Sequence, residues 1–362
     1  DKEIVLEAVK NNGSALEYAD KKLRADKKIV LAAVKHDGSA LYYVDDSLKK
    51  DKEIILEAVK NNGSALDYAD DIFKKDKEIL LIAVKQDGNA LEYADKKLRA
   101  DKETILEAVK NNGSALEYAD DIFKKDKEIV LEAVKSNNNA LQYADESLKK
   151  DKEILLLIAI EKVKEVWSDL ENLSDEFKKD KEVVLAAVKN NGNALQYADD
   201  SLKKDKEIVL IAVKQDGNAL EYADKKLRAN KKIVLTAVKQ HGYALDYANK
   251  KLKADKDVVL AAVKQDASNL QYADKKLRAN KKIVLVAVKK SGNALQYAST
   301  SLRKNKDVVK VAIKQNEDAL QYVDPSLKKD KDIFKTGEEI YKNFIKSENL
   351  KGEKLTKISV GL

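Results

Sequence analysis

Cysteine is absent from this chain, and so are disulfides, thiolate nucleophiles and zinc–thiolate sites. Methionine is absent as well, an initiator included, which leads us to expect chain ahead of Asp1. There are only two histidines, His36 and His241, and one tryptophan, Trp167. A single proline and twelve glycines among 362 residues speak against a turn-rich sheet protein and against a low-complexity coil. No run of eighteen apolar residues occurs, so no membrane span is expected. A Gly-rich phosphate loop with its Lys-Ser/Thr pair is missing, and so is a calcium-loop spacing. Charge of one sign is also missing. The net +7 is the small difference between 70 basic and 63 acidic side chains, and the two signs are mixed.

What the chain has is repetition. Asp1 to Ala25 forms one unit, and near copies open at Asp26, Asp51, Asp76, Asp101, Asp126 and Asp151. After a longer unit the series resumes at Asp180, Asp205, Asn230, Asp255, Asn280 and Asn305. A unit of 25 residues is too small to enclose a core and must stack on its neighbours. The expected fold is therefore an all-α solenoid of thirteen tandem two-helix repeats. Its divisions are repeats 1–6 over 1–150, a lengthened repeat 7 over 151–179, repeats 8–13 over 180–329, and a C-terminal cap and tail over 330–362.

Within one unit, Asp1 suits an N-cap and Glu3 the positive end of a helix dipole. Ile4, Val5, Ala8 and Val9 make one apolar stripe, and Gly13 is read as a left-handed stop. Ser14 and Glu17 read as a capping box for a second, shorter helix that turns Ala15, Leu16, Tyr18 and Ala19 inward. Asp20 caps a last tight turn that places Leu23 in the core. In repeat 7 no glycine interrupts the pattern, so the first helix is expected to run on through Val163, Val166 and Trp167. Glu338 to Lys346 reads as a closing helix. Asp1 opens on a full repeat with no capping segment, so that stacking face is expected to meet preceding chain or another molecule.

Catalysis is a poor fit, because a line of identical units does not converge different residues on one point. His36 and His241 lie eight repeats apart in turns, and the paired acids Asp70-Asp71, Asp120-Asp121 and Asp199-Asp200 stand at turn caps. The expectation is a protein that is not an enzyme, with no cofactor, no metal and no small-molecule substrate. Two surface patterns remain. The seventh place of the repeat changes along the array, as Glu7, Ala32, Glu57, Ile82, Glu107, Glu132, Ala186, Ile211, Thr236, Ala261 and Val286, while its core neighbours barely change. With Trp167, this column is the candidate surface for a protein partner or for self-assembly, in a scaffold or in a filament or virion subunit. Lys2, Lys27, Lys52 and Lys77 at the second place, and Lys10, Lys35, Lys60 and Lys85 at the tenth, form basic columns. Such columns suit nucleic acid or another polyanion, the weaker alternative because Glu3 and Glu7 stand beside them.

The stretch from Asp180 to Ala198, with its Gly-x-Ala-Leu-x-Tyr-Ala segment, resembles a family of tandem helical repeats catalogued as a domain of unknown function. The resemblance covers all thirteen repeats and departs between Ile154 and Ser174 and after Asp332. It implies the helical-repeat fold and supplies no mechanism.

Overall fold

The computed structural model describes residues 1–327, 330–333 and 335. The chain divides into two compact units, Asp1–Lys162 and Val163–Leu362. Each is an all-α stack of repeats, and no strand occurs among the described residues. The expected cap over 330–362, with its closing helix and tail, lies outside the described residues except for 330–333 and 335.

Every repeat opens on a long α-helix, such as Lys52–Asn61 in repeat 3 or Lys256–Gln265 in repeat 11. The first-place side chain caps it: Asp76 accepts from the N–H groups of Glu78 and Ile79 at 3.0 and 3.2 Å. The fourth, fifth, eighth and ninth places point into the stack. In repeat 3 these are Ile54, Ile55, Ala58 and Val59, all fully buried. Ten-residue helices are marginal alone in water. Burial of each large aliphatic side chain, worth about 1.5–3 kcal/mol before chain entropy is subtracted, makes them persist. In repeat 1, Ile4 and Tyr18 are exposed.

The second segment is a 3₁₀ helix of six residues, Gly63–Tyr68 in repeat 3, where the sequence suggested a short α-helix. The three-residue period explains the choice. Gly63, Leu66 and Ala69, three apart, fall on one face and are all buried. The cap of this segment also differs from the expected box. Asn62 accepts from Ser64 N–H at 3.0 Å, so the cap sits two places earlier, as it does at Asn12, Asp87, Asn137 and Asn191. Ser14, Ser39 and Ser64 are freed for contacts with the next repeat. A short third segment ends the repeat and places Phe73 or Leu277 against the core.

Glycine at the thirteenth place has a different cause from the one expected. No glycine there has a left-handed backbone, and Ala267 and Glu317 form the same 3₁₀ segment without one. The constraint is the next repeat. A Cβ on Gly63 would stand 2.3 Å from the carbonyl oxygen of Ala83, and one on Gly113 2.1 Å from that of Ala133.

Repeat 7 puts its extra length into the long helix, Lys152–Glu165, with 14 residues in place of the usual 10. The helix does not continue through Val166 and Trp167. Val166 is extended, and Trp167 opens the 3₁₀ segment Trp167–Asn172. Repeat 8 holds that end in place, because the side-chain amide of Asn190 donates to Lys164 C=O at 2.6 Å.

Candidate interaction surface

The side chains that decide what the stack can bind are those left over after each junction between repeats is satisfied. At the N-terminal end of the long helices, the second-place lysine reaches forward into the next repeat. Lys2 bonds Asp26. Lys27 lies 2.7 Å from Asp51 and 2.8 Å from Glu53, Lys52 lies 3.1 Å from Asp76 and 3.3 Å from Glu78, and Lys77 lies 3.0 Å from Asp101 and 2.8 Å from Glu103. Each ammonium therefore sits between the capping acid and the first-turn acid of its neighbour. The Lys27 ammonium holds the Asp51 carboxyl below its ordinary range, and Asp51 with Glu53 pushes Lys27 up. At Asp76, burial pushes upward, but the Ile79 N–H and the Lys52 ammonium outweigh it, and the carboxyl is lowered.

At the C-terminal end of the long helices a second ladder runs through the eleventh place. Asn61 accepts from Gly38 N–H at 2.7 Å and donates to Lys35 C=O at 3.2 Å. Asn111 repeats this with Gly88 and Lys85, at 2.9 Å in both bonds. His36 accepts from Gly13 N–H at 3.2 Å, so this histidine belongs to the ladder. His241 stands one place later and meets Asp216 at 2.8 Å.

Two further rungs close the junction. Ser64 Oγ donates to Asp87 at 2.5 Å, and Asn193 donates to Asp216 at 2.7 Å. Most of the described tyrosines are half-buried, Tyr18, Tyr42 and Tyr243 being exposed; burial and the Glu17 carboxylate of the repeat before it push Tyr43 up. Among the described residues, no three His, Asp or Glu side chains are gathered to hold a metal ion, and no helix is long and apolar enough to cross a membrane.

The sequence-derived candidates separate on this frame. The second-place lysines are partners in the junction ladder. The tenth-place lysines are exposed; Lys10 and Lys60 pair with Glu7 and Glu57 at 3.2 and 3.8 Å, while Lys35 and Lys85 face Ala32 and Ile82. At the seventh place, Glu7 is exposed, and Ala32, Glu57, Ile82, Glu107 and Glu132 are half-buried. So are Ala186, Ile211, Thr236, Ala261 and Val286 in the second compact unit. There the sixth place, with Leu185, Leu210, Leu235, Leu260 and Leu285, is half-buried too, so two uncharged columns run side by side, aliphatic except at Thr236. Trp167 is half-buried and stacks on Tyr197, ring centroids 6.2 Å apart. It opens a 3₁₀ segment at the glycine place of its repeat and joins neither column.

The eleventh-place ladder and the serine rungs were not anticipated. Their signal was present, since the eleventh place of repeats 1–6 is always a hydrogen-bonding side chain: Asn11, His36, Asn61, Gln86, Asn111 and Ser136.

A comparison with curated proteins finds no match. The family described as domain of unknown function DUF4116 matches at residues 1–49, 51–99, 101–149, 126–162, 151–203, 180–228, 230–278, 280–328 and 305–337. Most of these matches span two of the 25-residue units, and neighbouring ones begin one unit apart, at 101 and 126 and again at 280 and 305. Nearly the whole repeat array is matched, and the chain belongs to the DUF4116 family of tandem helical repeats.

Proposed function

We propose that this chain is a non-enzymatic interaction scaffold that binds protein partners along the outer face of its long helices. One observation carries the reading. In repeats 8–12 the sixth and seventh places present a half-buried, uncharged strip, Leu185 with Ala186 through Leu285 with Val286, aliphatic except at Thr236. The corresponding strip in repeats 3, 5 and 6 is interrupted by Glu57, Glu107 and Glu132. The core places beneath do not vary in this way, so stacking alone does not require the difference. An accessible aliphatic strip flanked by charge suits a protein partner that contributes its own apolar anchors.

The test is capture from the source cells, with the intact chain and an Ile211→Glu/Val286→Glu variant compared by quantitative mass spectrometry. Both substitutions introduce the residue that repeats 3, 5 and 6 carry at this place, so the fold is expected to survive and circular dichroism checks it. Partners held by the intact chain and lost from the variant support the reading. An identical set retained by both overturns it.

A further inference from the structure

Charge is distributed along this chain far less evenly than its total indicates. Residues 225–304 contain 20 Lys and Arg against five Asp and Glu, a net +15, so the rest of the chain carries −8. All 80 of these residues lie in the second compact unit.

The excess has a structural cause in the junction ladder. A second-place lysine is normally received by an acid at the first place and another at the third place of the next repeat. Repeats 10 and 12 break both. After Lys206 the next repeat carries Asn230 and Lys232 at these two places, and after Lys256 it carries Asn280 and Lys282. The asparagines keep the capping bonds, at 3.1 and 3.2 Å in repeat 10, so the fold is preserved while the counter-charge is removed. Lys206, Lys232, Lys256 and Lys282 are all exposed.

The same end of the repeat carries the short third segment, which stops just before the next long helix begins. In repeats 10 and 11 this segment is Lys250–Lys253 and Lys275–Arg278, with exposed Lys250, Lys251, Lys275 and Lys276. In repeats 3, 5 and 8 the corresponding segment carries an acid, Asp71, Asp121 or Asp200, paired with a lysine three residues on. Cations from two consecutive elements therefore share one end of the repeat, without counter-charge at the junctions of repeats 9 with 10 and 11 with 12, while Lys231 keeps Asp255 and Asp257 and Lys281 keeps Asp307.

We infer that this edge of repeats 9–12 binds the phosphate backbone of double-stranded nucleic acid, without reading its sequence. Three features select this partner. Of the 20 basic residues 17 are Lys, a residue depleted from the desolvated cores of protein interfaces but well suited to phosphate contact in water. The three arginines, Arg228, Arg278 and Arg303, are half-buried, which leaves little for bidentate reading of bases. Single strands are held by stacking on rows of exposed aromatic rings, and of the tyrosines in these repeats Tyr222, Tyr247, Tyr272 and Tyr297 are half-buried, with only Tyr243 exposed. At roughly 8–10 Å per stacked helix, four repeats extend about 30–40 Å, close to one turn of a duplex.

The test is a fluorescence-anisotropy titration of the intact chain against a labelled 20-base-pair DNA duplex of arbitrary sequence. With about five phosphates engaged, affinity is expected to fall about 10²–10³-fold between 50 and 200 mM salt. A ladder-restoring variant, Asn230→Asp/Lys232→Glu/Asn280→Asp/Lys282→Glu, introduces only residues that other repeats carry at these places. It should fold as the parent does and lose at least about tenfold in affinity at 50 mM salt. A control with the same change in charge, Lys21→Glu/Lys22→Glu/Lys96→Glu in the first compact unit, should remain within about twofold of the parent. Absence of binding at 50 mM salt, or equal loss in the two variants, overturns the inference. Displacement of the duplex by polyglutamate at equal charge concentration, or comparable binding to vesicles containing phosphatidylserine, also overturns it, in favour of an acidic protein or a membrane surface.

Discussion

Asn61 accepts a hydrogen bond from the backbone N–H of Gly38 at 2.7 Å, across the junction between repeats 2 and 3. Its amide nitrogen donates to Lys35 C=O at 3.2 Å, so one side chain of repeat 3 holds both the turn and the helix end of repeat 2. Asn61→Ala removes both partners at once and leaves a partly buried N–H unsatisfied. We expect a loss of about 1–3 kcal/mol, measured by urea unfolding. Asn61→Gln should cost less, because Gln315 bonds both Gly292 N–H and Lys290 C=O at the junction of repeats 12 and 13.

Gly63 packs against backbone that has little freedom to move. A Cβ would stand 2.3 Å from Ala83 O, and Ala83 is fully buried within its helix. Gly63→Ala is expected to destabilise by about 1–3 kcal/mol through overpacking, despite the usual gain from removing a glycine. Glu317 holds the same place in repeat 13 and is exposed. Glu317→Ala should therefore change stability by less than about 0.5 kcal/mol, read from the thermal midpoint.

These two places show how far the sequence could be read. The repeat length, the long helix and its buried stripe were legible, because periodicity and capping are local signals. Gly63 and Ser64 were misread for a shared reason. A glycine after a helix resembles a left-handed stop, and a serine three places before an acid resembles a capping box. In this chain both residues are set by the following repeat, through Ala83 and Asp87. The basic columns were legible as columns, but their pairing with the next repeat's acids needed the register of the stack. Repeats 10 and 12 stand apart only once that pairing is known.

The capping acids link stability to pH with a definite sign. Asp51, Asp101, Asp126 and Asp205 are all lowered below 3.8 in the folded chain. Unfolding releases them to the ordinary value, so the unfolded chain takes up protons first. Their contribution is full above about pH 4–5 and is lost as pH falls through the lowered folded values. Their lysine partners Lys27, Lys77, Lys102 and Lys181 are raised above 10.5, so that contribution is full at neutral pH and is lost on the alkaline side. Thermal midpoints should stay level between about pH 5 and 10 and fall on both sides. An Asp126→Asn variant should show a shallower acid limb, since asparagine keeps a capping oxygen without titrating.

Trp167 supplies a built-in reporter for the start of the second compact unit. It is the single tryptophan, is half-buried, and stacks on Tyr197 at 6.2 Å with an angle of 29° between the rings. It stands at the place that most other repeats fill with glycine, just after a helix lengthened to 14 residues. The ring is therefore a structural part of this junction, whatever else binds there. Trp167→Ala should remove the stacking and part of the buried area, a loss of about 1–3 kcal/mol. Trp167→Phe should recover more than half of that loss, because a smaller ring can still stack on Tyr197. If both variants unfold at the parent's urea midpoint by circular dichroism, the stack on Tyr197 contributes nothing to stability and the role of Trp167 must be sought in a partner.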